Sequence, residues 1–271
     1  MNARDRLGRL APTPRPRGPH TDAHVDVRHA RDDGGLDYYD GVVVGAEAIG
    51  ALACEPATLD EAMALVARQE GDDYVSYVRE FVGAGRRAGG EAWRFADITT
   101  ALLAAARLLR PRSYLEIGVR RGRSMGIVAA TAPECEIVGV DMWMADYAGM
   151  ENPGPELVRE QMARLGHRGR LELLSGDSHR VVPRLFAQRR DLSFDLITVD
   201  GDHSVRGAAR DLAAVLPRLR VGGALVFDDM RHPYHPALVD VWRRVVAADR
   251  RYATWQFDEI GYGVAVAVRR W

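Results

Sequence analysis

Two predicted strands end in acidic residues that could bind a metal ion. The stretch ITVDGDHS ends an apolar run and places Asp200, Asp202 and His203 within four residues, and the run ALVFDDM contains Asp228 and Asp229. Carboxylates that meet at one edge of a sheet repel one another, and a hard divalent cation relieves that repulsion. Oxygen-only ligands favour Mg²⁺ or Ca²⁺ over Zn²⁺. We therefore predict a divalent-cation site at Asp200, Asp228 and Asp229.

His203 is the candidate general base of this region. It follows Asp200 by three residues, and an imidazole is partly unprotonated at neutral pH. The sequence contains no lysine, so no Lys amine can take that role. The alternative for His203 is a helix-start residue without chemistry, and for Asp202 a helix cap. His232 and His235, in RHPYHP, either line a substrate pocket or belong to a rigid turn.

Three earlier strand ends carry residues suited to a nucleoside ligand. In EIGVRRGRS, Gly118 and Gly122 would let the backbone approach a ligand at a helix N-terminus. Asp141 ends the next strand, where an acid can accept hydrogen bonds from both ribose hydroxyls. Asp177, in SGDS, either caps a helix or accepts a bond from an adenine amino group. Each residue alone has a structural alternative, but the spacing of all of them favours binding.

The elements that must position these residues alternate along the chain. The apolar runs SYLEIGV, CEIVGVD, RLELLSGD, FDLITVD and GALVFDD are separated by helical patterns at about 123–131, 155–165, 179–188 and 205–219. This alternation predicts a parallel sheet with helices on both faces. YATWQFDEI and YGVAVAVRR, joined by a short turn with Gly261, predict a terminal antiparallel hairpin.

The front of the chain is different in composition. Residues 1–36 are rich in Pro, Arg, Gly and His without periodicity, which is typical of a flexible arm. Residues 37–109 contain helical patterns, the first with Thr58 as N-cap and Glu61 completing a capping box. We expect this helical segment to pack on a core formed by residues 110–271.

These motifs together resemble the class I S-adenosylmethionine-dependent methyltransferases. The resemblance rests on YLEIGVRRGRS, Asp141, SGDS, VDGDHS, FDDM and the terminal hairpin, and it covers residues 110–271. The pair VDGDHS and GGALVFDDM resembles metal-dependent sugar O-methyltransferases of the macrocin and mycinamicin type. The resemblance implies an α/β fold with a doubly wound, Rossmann-like sheet. That sheet would have seven strands, five parallel plus the C-terminal antiparallel hairpin.

The resemblance also implies a cofactor site for S-adenosylmethionine. Its residues would be Glu116, Gly118, Gly122, Ser124, Asp141, Trp143, Asp177, Ser178 and Asp200. Glu116 and the glycines would hold the methionine part, Asp141 the ribose, and Asp177 with Ser178 the adenine. We expect Trp143 to pack near the adenine. Residues 144–154 are expected to cover the substrate, with a surface loop as the alternative.

Three arginines crowd the glycine loop, which is a departure from the family pattern. They could meet the cofactor carboxylate or a substrate phosphate, and we expect at least two to face solvent. The residues are Arg120, Arg121 and Arg123.

The expected activity is Mg²⁺-dependent O-methylation by His203 and Asp200. The acceptor would be a hydroxyl of a small molecule, such as a deoxysugar or nucleotide sugar in antibiotic biosynthesis. A catechol-type aromatic O-methyltransferase is one alternative, and a non-catalytic cofactor-binding partner of another enzyme is the other. A nicotinamide dehydrogenase is disfavoured by the missing Gly-x-Gly-x-x-Gly and by the hairpin.

Composition limits the partners. The 271 residues carry a net charge of −1, which gives no electrostatic case for nucleic acid or an anionic membrane. No apolar run approaches the roughly 18 residues of a membrane span. The two cysteines, Cys54 and Cys135, indicate no disulfide framework, which fits a cytoplasmic location. A helical front segment beside such a core is compatible with a homo-oligomer.

Overall fold

The computed structural model describes most of the chain. The described residues are 28–30, 36–38, 41–147 and 149–271. The chain divides into two compact units, Met1–Gly41 and Val42–Trp271. The helical segment and the sheet therefore belong to the same unit.

A short two-stranded ladder lies in the first unit. Arg28–Ala30 pairs antiparallel with Leu36–Tyr38. The predicted flexible arm, residues 1–36, otherwise falls outside the described residues.

The second unit is built on one seven-stranded sheet. Its strands are β1 (Ser113–Ile117), β2 (Glu136–Asp141), β3 (Leu171–Ser175), β4 (Phe194–Val199), β5 (Leu219–Phe227), β6 (Tyr252–Phe257) and β7 (Val264–Arg269). Their spatial order is β6-β7-β5-β4-β1-β2-β3. Strands β1 to β5 are parallel, while β7 pairs antiparallel with both β5 and β6. The predicted five parallel strands and terminal hairpin are confirmed.

Helices precede the sheet and connect its strands. They are α1 (Ala46–Ala53), α2 (Pro56–Ala67), α3 (Asp73–Gly89), α4 (Ile98–Leu109), α5 (Arg123–Thr131), α6 (Pro155–Leu165), α7 (Ser178–Gln188), α8 (Val205–Val215) and α9 (Leu238–Trp242). A π-helical turn, Arg243–Ala247, extends α9. Within the described residues, none of the helices has the length and apolar character needed to span a membrane.

Side-chain caps fix the start of two front helices. Asp72 accepts a hydrogen bond from the Val75 amide and begins α3, and Asp97 forms a capping box with Thr100 at α4. The prediction that Thr58 caps α2 is wrong. That helix begins two residues earlier, at Pro56, because proline fits the first helical position, and Thr58 is buried inside the helix.

The register of the sheet brings the predicted site residues to one edge. Ile117 of β1 lies beside Val140 of β2 and Val199 of β4, and Val199 lies beside Phe227 of β5. The residues that follow these positions therefore emerge side by side. In open α/β sheets this carboxyl edge is where ligands bind.

The sheet is buried on both faces. One face packs under α1, α4 and α5 through side chains such as Leu102, Ile127 and Val266. The other face packs under α7, α8 and α9, with Trp242 stacked on Phe227. Each fully buried aliphatic side chain contributes about 1.5–3 kcal/mol, so these two layers stabilise the sheet whose carboxyl edge carries the site residues.

Candidate active site

A cavity of about 810 Å³ opens above the carboxyl edge of the sheet. That volume is within the range of small-molecule sites. The ends of β1, β2, β4 and β5 form its floor, and α3 and the turn at Gly261–Gly263 form part of its wall. Its aspartates are Asp97, Asp141, Asp177, Asp200, Asp202, Asp228 and Asp229.

Gly118 occupies a position that a side chain cannot enter. Its φ is +88°, and a Cβ placed there would lie 1.9 Å from the Asp200 carbonyl oxygen. Gly118 lines the cavity, whereas Gly122 begins α5 with φ +76° and faces Val158. Of the two glycines predicted to let the backbone approach a ligand, Gly118 is therefore the one at the cavity, and it lies against the Asp200 backbone.

Glu116 lies beneath the glycine loop rather than in the cavity wall. It is fully buried, and it accepts hydrogen bonds from the hydroxyls of Tyr114 and Ser124. Burial raises the pKa of Glu116 to about 8. Ser124 itself lines the cavity, so Glu116 can act on a ligand through it.

Asp141 orders the backbone on both sides of its strand end. Its Oδ2 accepts a hydrogen bond from the Arg120 amide at 2.7 Å, and its Oδ1 accepts one from the Trp143 amide at 2.6 Å. These two bonds fix the carboxylate at the cavity edge, where it was predicted to meet a ribose.

Trp143 is not part of the cavity wall described by the structure. Its backbone is left-handed, with φ +52°, and its half-buried ring packs against the hydrophobic core. The neighbouring Met142 and Met144 line the cavity instead. Asn152, from the far end of the predicted covering segment, lines it as well.

The predicted adenine residues lie at the start of α7. Asp177 accepts a hydrogen bond from the His179 amide, so its carboxylate caps the helix. The Ser178 hydroxyl donates to the buried carboxylate of Asp211 at 2.8 Å. Both residues line the cavity while serving these structural roles.

Asp200, His203 and Asp229 form the cluster that could hold a cation. One ligand atom from each lies within 4.8 Å of the others. His203 Nε2 is 3.2 Å from Asp200 Oδ1 and 3.6 Å from Asp229 Oδ2. Asp229 has a left-handed backbone, φ +59°, which aspartate tolerates better than most residues. Two carboxylates and an imidazole are a suitable donor set for a divalent cation.

The protonation of this cluster follows from burial and mutual charge. Burial and the Asp200 charge raise the pKa of Asp229 to about 7. Burial and the charges of Asp200 and Asp229 raise the pKa of Asp228 well above its usual range. Burial opposes the imidazolium of His203, but its hydrogen bond to Asp200 and the surrounding carboxylates outweigh that effect and raise its pKa. Bound positive charge would relieve the repulsion between these acids.

Asp228 lies beside this cluster without joining its closest set of ligand atoms. It follows β5 directly, and its amide donates to the Val199 carbonyl oxygen at 3.3 Å. Of the three predicted cation ligands, the structure thus groups Asp200 and Asp229 with His203.

Part of the chain matches a known protein family. Residues 115–230 match the family model described as a methyltransferase domain. The predicted α/β fold is confirmed, and the matched region agrees with the predicted resemblance to the methyltransferases. No curated protein matches the chain.

Solved structures share the fold of this chain. TomG, an O-methyltransferase of Streptomyces achromogenes involved in tomaymycin synthesis, is 23% identical over 63% of this chain and 78% of its own, with a TM-score of 0.51. CalS11, a calicheamicin methyltransferase, is 22% identical over 87% and 98%, with a TM-score of 0.50. An O-methyltransferase of Bacillus cereus is 16% identical over 82% and 95%, with a TM-score of 0.50. The TomG structure holds S-adenosylmethionine, and the Bacillus structure holds S-adenosylhomocysteine.

The prediction that at least two of the three arginines of the glycine loop face solvent is wrong. Arg121 is 7% exposed, and the side chains of Arg120 and Arg123 are 21% exposed. All three lie within 3.7 Å of the Asp72 carboxylate. The prediction was wrong because the acidic partner comes from a helix that is distant in sequence.

The aromatic wall of the cavity was not predicted from the sequence. Tyr74, Tyr77 and Phe81 of α3 line it, with neighbouring ring centroids 6.0–6.2 Å apart, and Phe95 lies 5.4 Å from Phe81. The three rings of α3 are three to four residues apart, which is the helical signal for one shared face.

Histidines extend from the cation cluster toward the cavity rim. The His235 ring lies 5.1 Å from the rings of both His203 and His232, and His232 lies 4.6 Å from Tyr262. Both His232 and His235 line the cavity, as one of the two sequence interpretations predicted.

Proposed function

We propose that the chain transfers a methyl group from S-adenosylmethionine to a hydroxyl of a small molecule. One observation carries this proposal. The Asp200–His203–Asp229 cluster lies in the same cavity as the glycine loop, and Gly118 touches the Asp200 backbone. A methyl donor on the loop would therefore lie next to an acceptor held at the cluster.

The cofactor would follow the strand ends. Gly118 and Ser124 would contact the methionine part, with Glu116 supporting Ser124 from below. Asp141 would accept bonds from the ribose hydroxyls, and Asp177 with Ser178 would border the adenine. These assignments are supported by the order of the residues around the cavity and by the family.

Asp200 and Asp229, with Asp228 beside them, would hold a divalent cation such as Mg²⁺. Such an ion lowers the pKa of an acceptor hydroxyl and orients its oxygen. The acceptor oxygen forms a bond to the methyl carbon while the bond between the methyl carbon and sulfur breaks. The electron pair of the broken bond goes to sulfur, which leaves as a neutral thioether. We assign the hydroxyl proton to the His203 imidazole, at the ring nitrogen that does not contact Asp200.

The acceptor that we favour is a sugar already attached to a larger, partly aromatic molecule. A free nucleotide sugar carries a diphosphate, which calls for cationic side chains. Among the described residues, the arginines that line the cavity are Arg120, Arg121 and Arg123, and each faces a carboxylate within 3.7 Å. The aromatic face of α3 suits an apolar aglycone.

Two other functions remain to be separated from this one. The aromatic wall also suits a catechol-type diol, which would be methylated by the same cluster. A cofactor-binding protein without catalysis would need the glycine loop but not the acids at β4 and β5.

The test is methyl transfer from labelled S-adenosylmethionine to a panel of glycosides, nucleotide sugars and catechols with Mg²⁺. Asp229→Ala should reduce turnover by at least about a hundredfold, since metal activation contributes several kcal/mol. Asp240→Ala, at an exposed ion pair with Arg243, is the matched control and should keep wild-type rates. Equal rates in wild type and Asp229→Ala would refute the proposed chemistry. Preferred methylation of a nucleotide sugar would refute the acceptor class.

A further inference from the structure

One carboxylate lies among the three arginines of the glycine loop. Asp72 Oδ1 and Oδ2 accept hydrogen bonds from Arg123 Nη2 at 3.3 and 3.2 Å. Asp72 Oδ2 is also 3.7 Å from Arg121 Nε and 3.7 Å from Arg120 Nη2. Three guanidiniums this close repel one another, and the shared Asp72 carboxylate offsets that repulsion.

The same carboxylate begins the helix that carries the aromatic wall. Asp72 Oδ1 accepts a hydrogen bond from the Val75 amide at 2.8 Å, which caps α3. In the first turn of that helix, the Tyr74 ring lies under the Arg123 guanidinium, 4.6 Å from its central carbon to the ring centroid. Asp72 thus contacts both the glycine loop and the first turn of α3.

The burial of Asp72 makes this connection stronger than a surface ion pair. Its side chain is 17% exposed, and Arg121 is 7% exposed. Solvent and salt screen such partly buried pairs less than exposed ones. A second anchor supports the loop, since Arg121 also pairs with Glu70, and the Gln161 amide donates to the Arg121 carbonyl oxygen.

We propose that Asp72 is a positioning residue that couples cofactor binding to the acceptor wall. A cofactor that orders the glycine loop would also order the first turns of α3 through Asp72, and so align Tyr74 and Tyr77 for the acceptor. This inference rests on the proposed function, because it takes the glycine loop as the cofactor side. Binding at one site that orders the other is a recognised source of cooperativity.

The variant that isolates this role is Asp72→Asn. Asparagine keeps the N-cap of α3 but removes the charge that the arginines share. Asp60→Asn is the control, because it removes an ion pair from the other end of the same helix, at Arg86. Arg123→Gln is a second variant, for use if Asp72→Asn does not fold. It leaves the N-cap of α3 untouched.

The measurement is amide hydrogen exchange with and without S-adenosylhomocysteine. In wild type and Asp60→Asn, the ligand should slow exchange across Tyr77–Phe81 by about threefold or more, as well as across the glycine loop. In Asp72→Asn or Arg123→Gln, the loop should still be protected, while exchange in α3 should not change.

The outcomes separate this inference from the function on which it rests. Protection of α3 that persists in both variants, or that never occurs in wild type although the ligand binds, would refute the coupling alone. Failure of the wild type to bind S-adenosylhomocysteine would refute the proposed function, and the coupling with it.

Discussion

Gly118 lies directly against Asp200: a Cβ on Gly118 would come within 1.9 Å of the Asp200 carbonyl oxygen. The Asp200 amide in turn donates to the Ile117 carbonyl oxygen at 2.9 Å. The loop that would carry the methyl donor and the strand end that would hold the acceptor are thus in backbone contact. This contact places the two halves of the proposed reaction side by side.

Gly118→Ala should therefore damage both stability and cofactor binding. The substitution combines a clash at Asp200 with a positive φ, so we expect a loss above about 1 kcal/mol in the free energy of unfolding. Gly166→Ala is the control, because Gly166 has φ +90° but open space around its Cβ. Chemical denaturation measures the free energy of unfolding of both variants. An equal loss in the two variants would show that the contact with Asp200 does not matter.

Glu116→Gln should change how stability depends on pH. The folded pKa of about 8 is above the ordinary value of 4.5, so the folded protein holds a proton that the unfolded chain releases. The stabilising contribution is complete below about pH 4.5 and is lost as pH rises toward 8, by up to about 1.4 kcal/mol per unit. Denaturation at pH 5 and pH 8 should show the variant gaining relative to wild type.

Glu172→Gln is the comparison variant, because the pKa of Glu172 is shifted in the opposite direction from that of Glu116. Arg189 donates to both Glu172 oxygens, and this hydrogen bonding lowers the pKa of Glu172. That contribution is present above pH 4.5 and is lost as pH falls, so the difference from wild type should stay flat between pH 6 and 8. If the Glu116→Gln difference is equally flat there, Glu116 is ionised in the folded protein.

Tyr77→Ala should weaken acceptor binding without affecting the cofactor. Tyr77 is 48% exposed and lines the cavity, so its removal leaves the core intact. With an acceptor from the panel, KM should rise several-fold while kcat and the affinity for S-adenosylhomocysteine stay near wild type. Leu108→Ala, which is exposed elsewhere, should change nothing. An unchanged KM in Tyr77→Ala would mean that the acceptor does not use α3.

Asp228→Ala tests the predicted cation ligand that does not belong to the Asp200–His203–Asp229 cluster. We expect turnover to fall by at least about tenfold, with cofactor binding largely retained, because the loss is confined to the acceptor side. Steady-state rates and calorimetry measure the two effects. Abolished cofactor binding would show that Asp228 belongs to the cofactor site instead.

The sheet could be predicted from the sequence because the residues that indicate each strand and its end are adjacent in the chain. Each parallel strand is a short apolar run that ends in a polar turn, and SGDS and VDGDHS mark two of those ends. Parallel order then places the ends at one edge, which is why Asp200 and Asp229 were expected to meet.

The arginine contacts and Trp143 could not be predicted in the same way. The partner of Arg123 is Asp72, 51 residues away, and only the packing of α3 brings them together. Trp143 packs into the core with a left-handed backbone. A tryptophan residue in the sequence does not indicate that conformation. The aromatic face of α3 was visible as spacing, but nothing local indicated that it meets a cavity.

The most direct test of the proposed function is calorimetric titration with S-adenosylhomocysteine. It should be run with Mg²⁺, with a chelator, and with NADH as control. We expect S-adenosylhomocysteine to bind at micromolar concentration, also with chelator present, and NADH not to bind. Absence of S-adenosylhomocysteine binding would contradict the cofactor assignment and leave the loop at Gly118 as an ordinary turn.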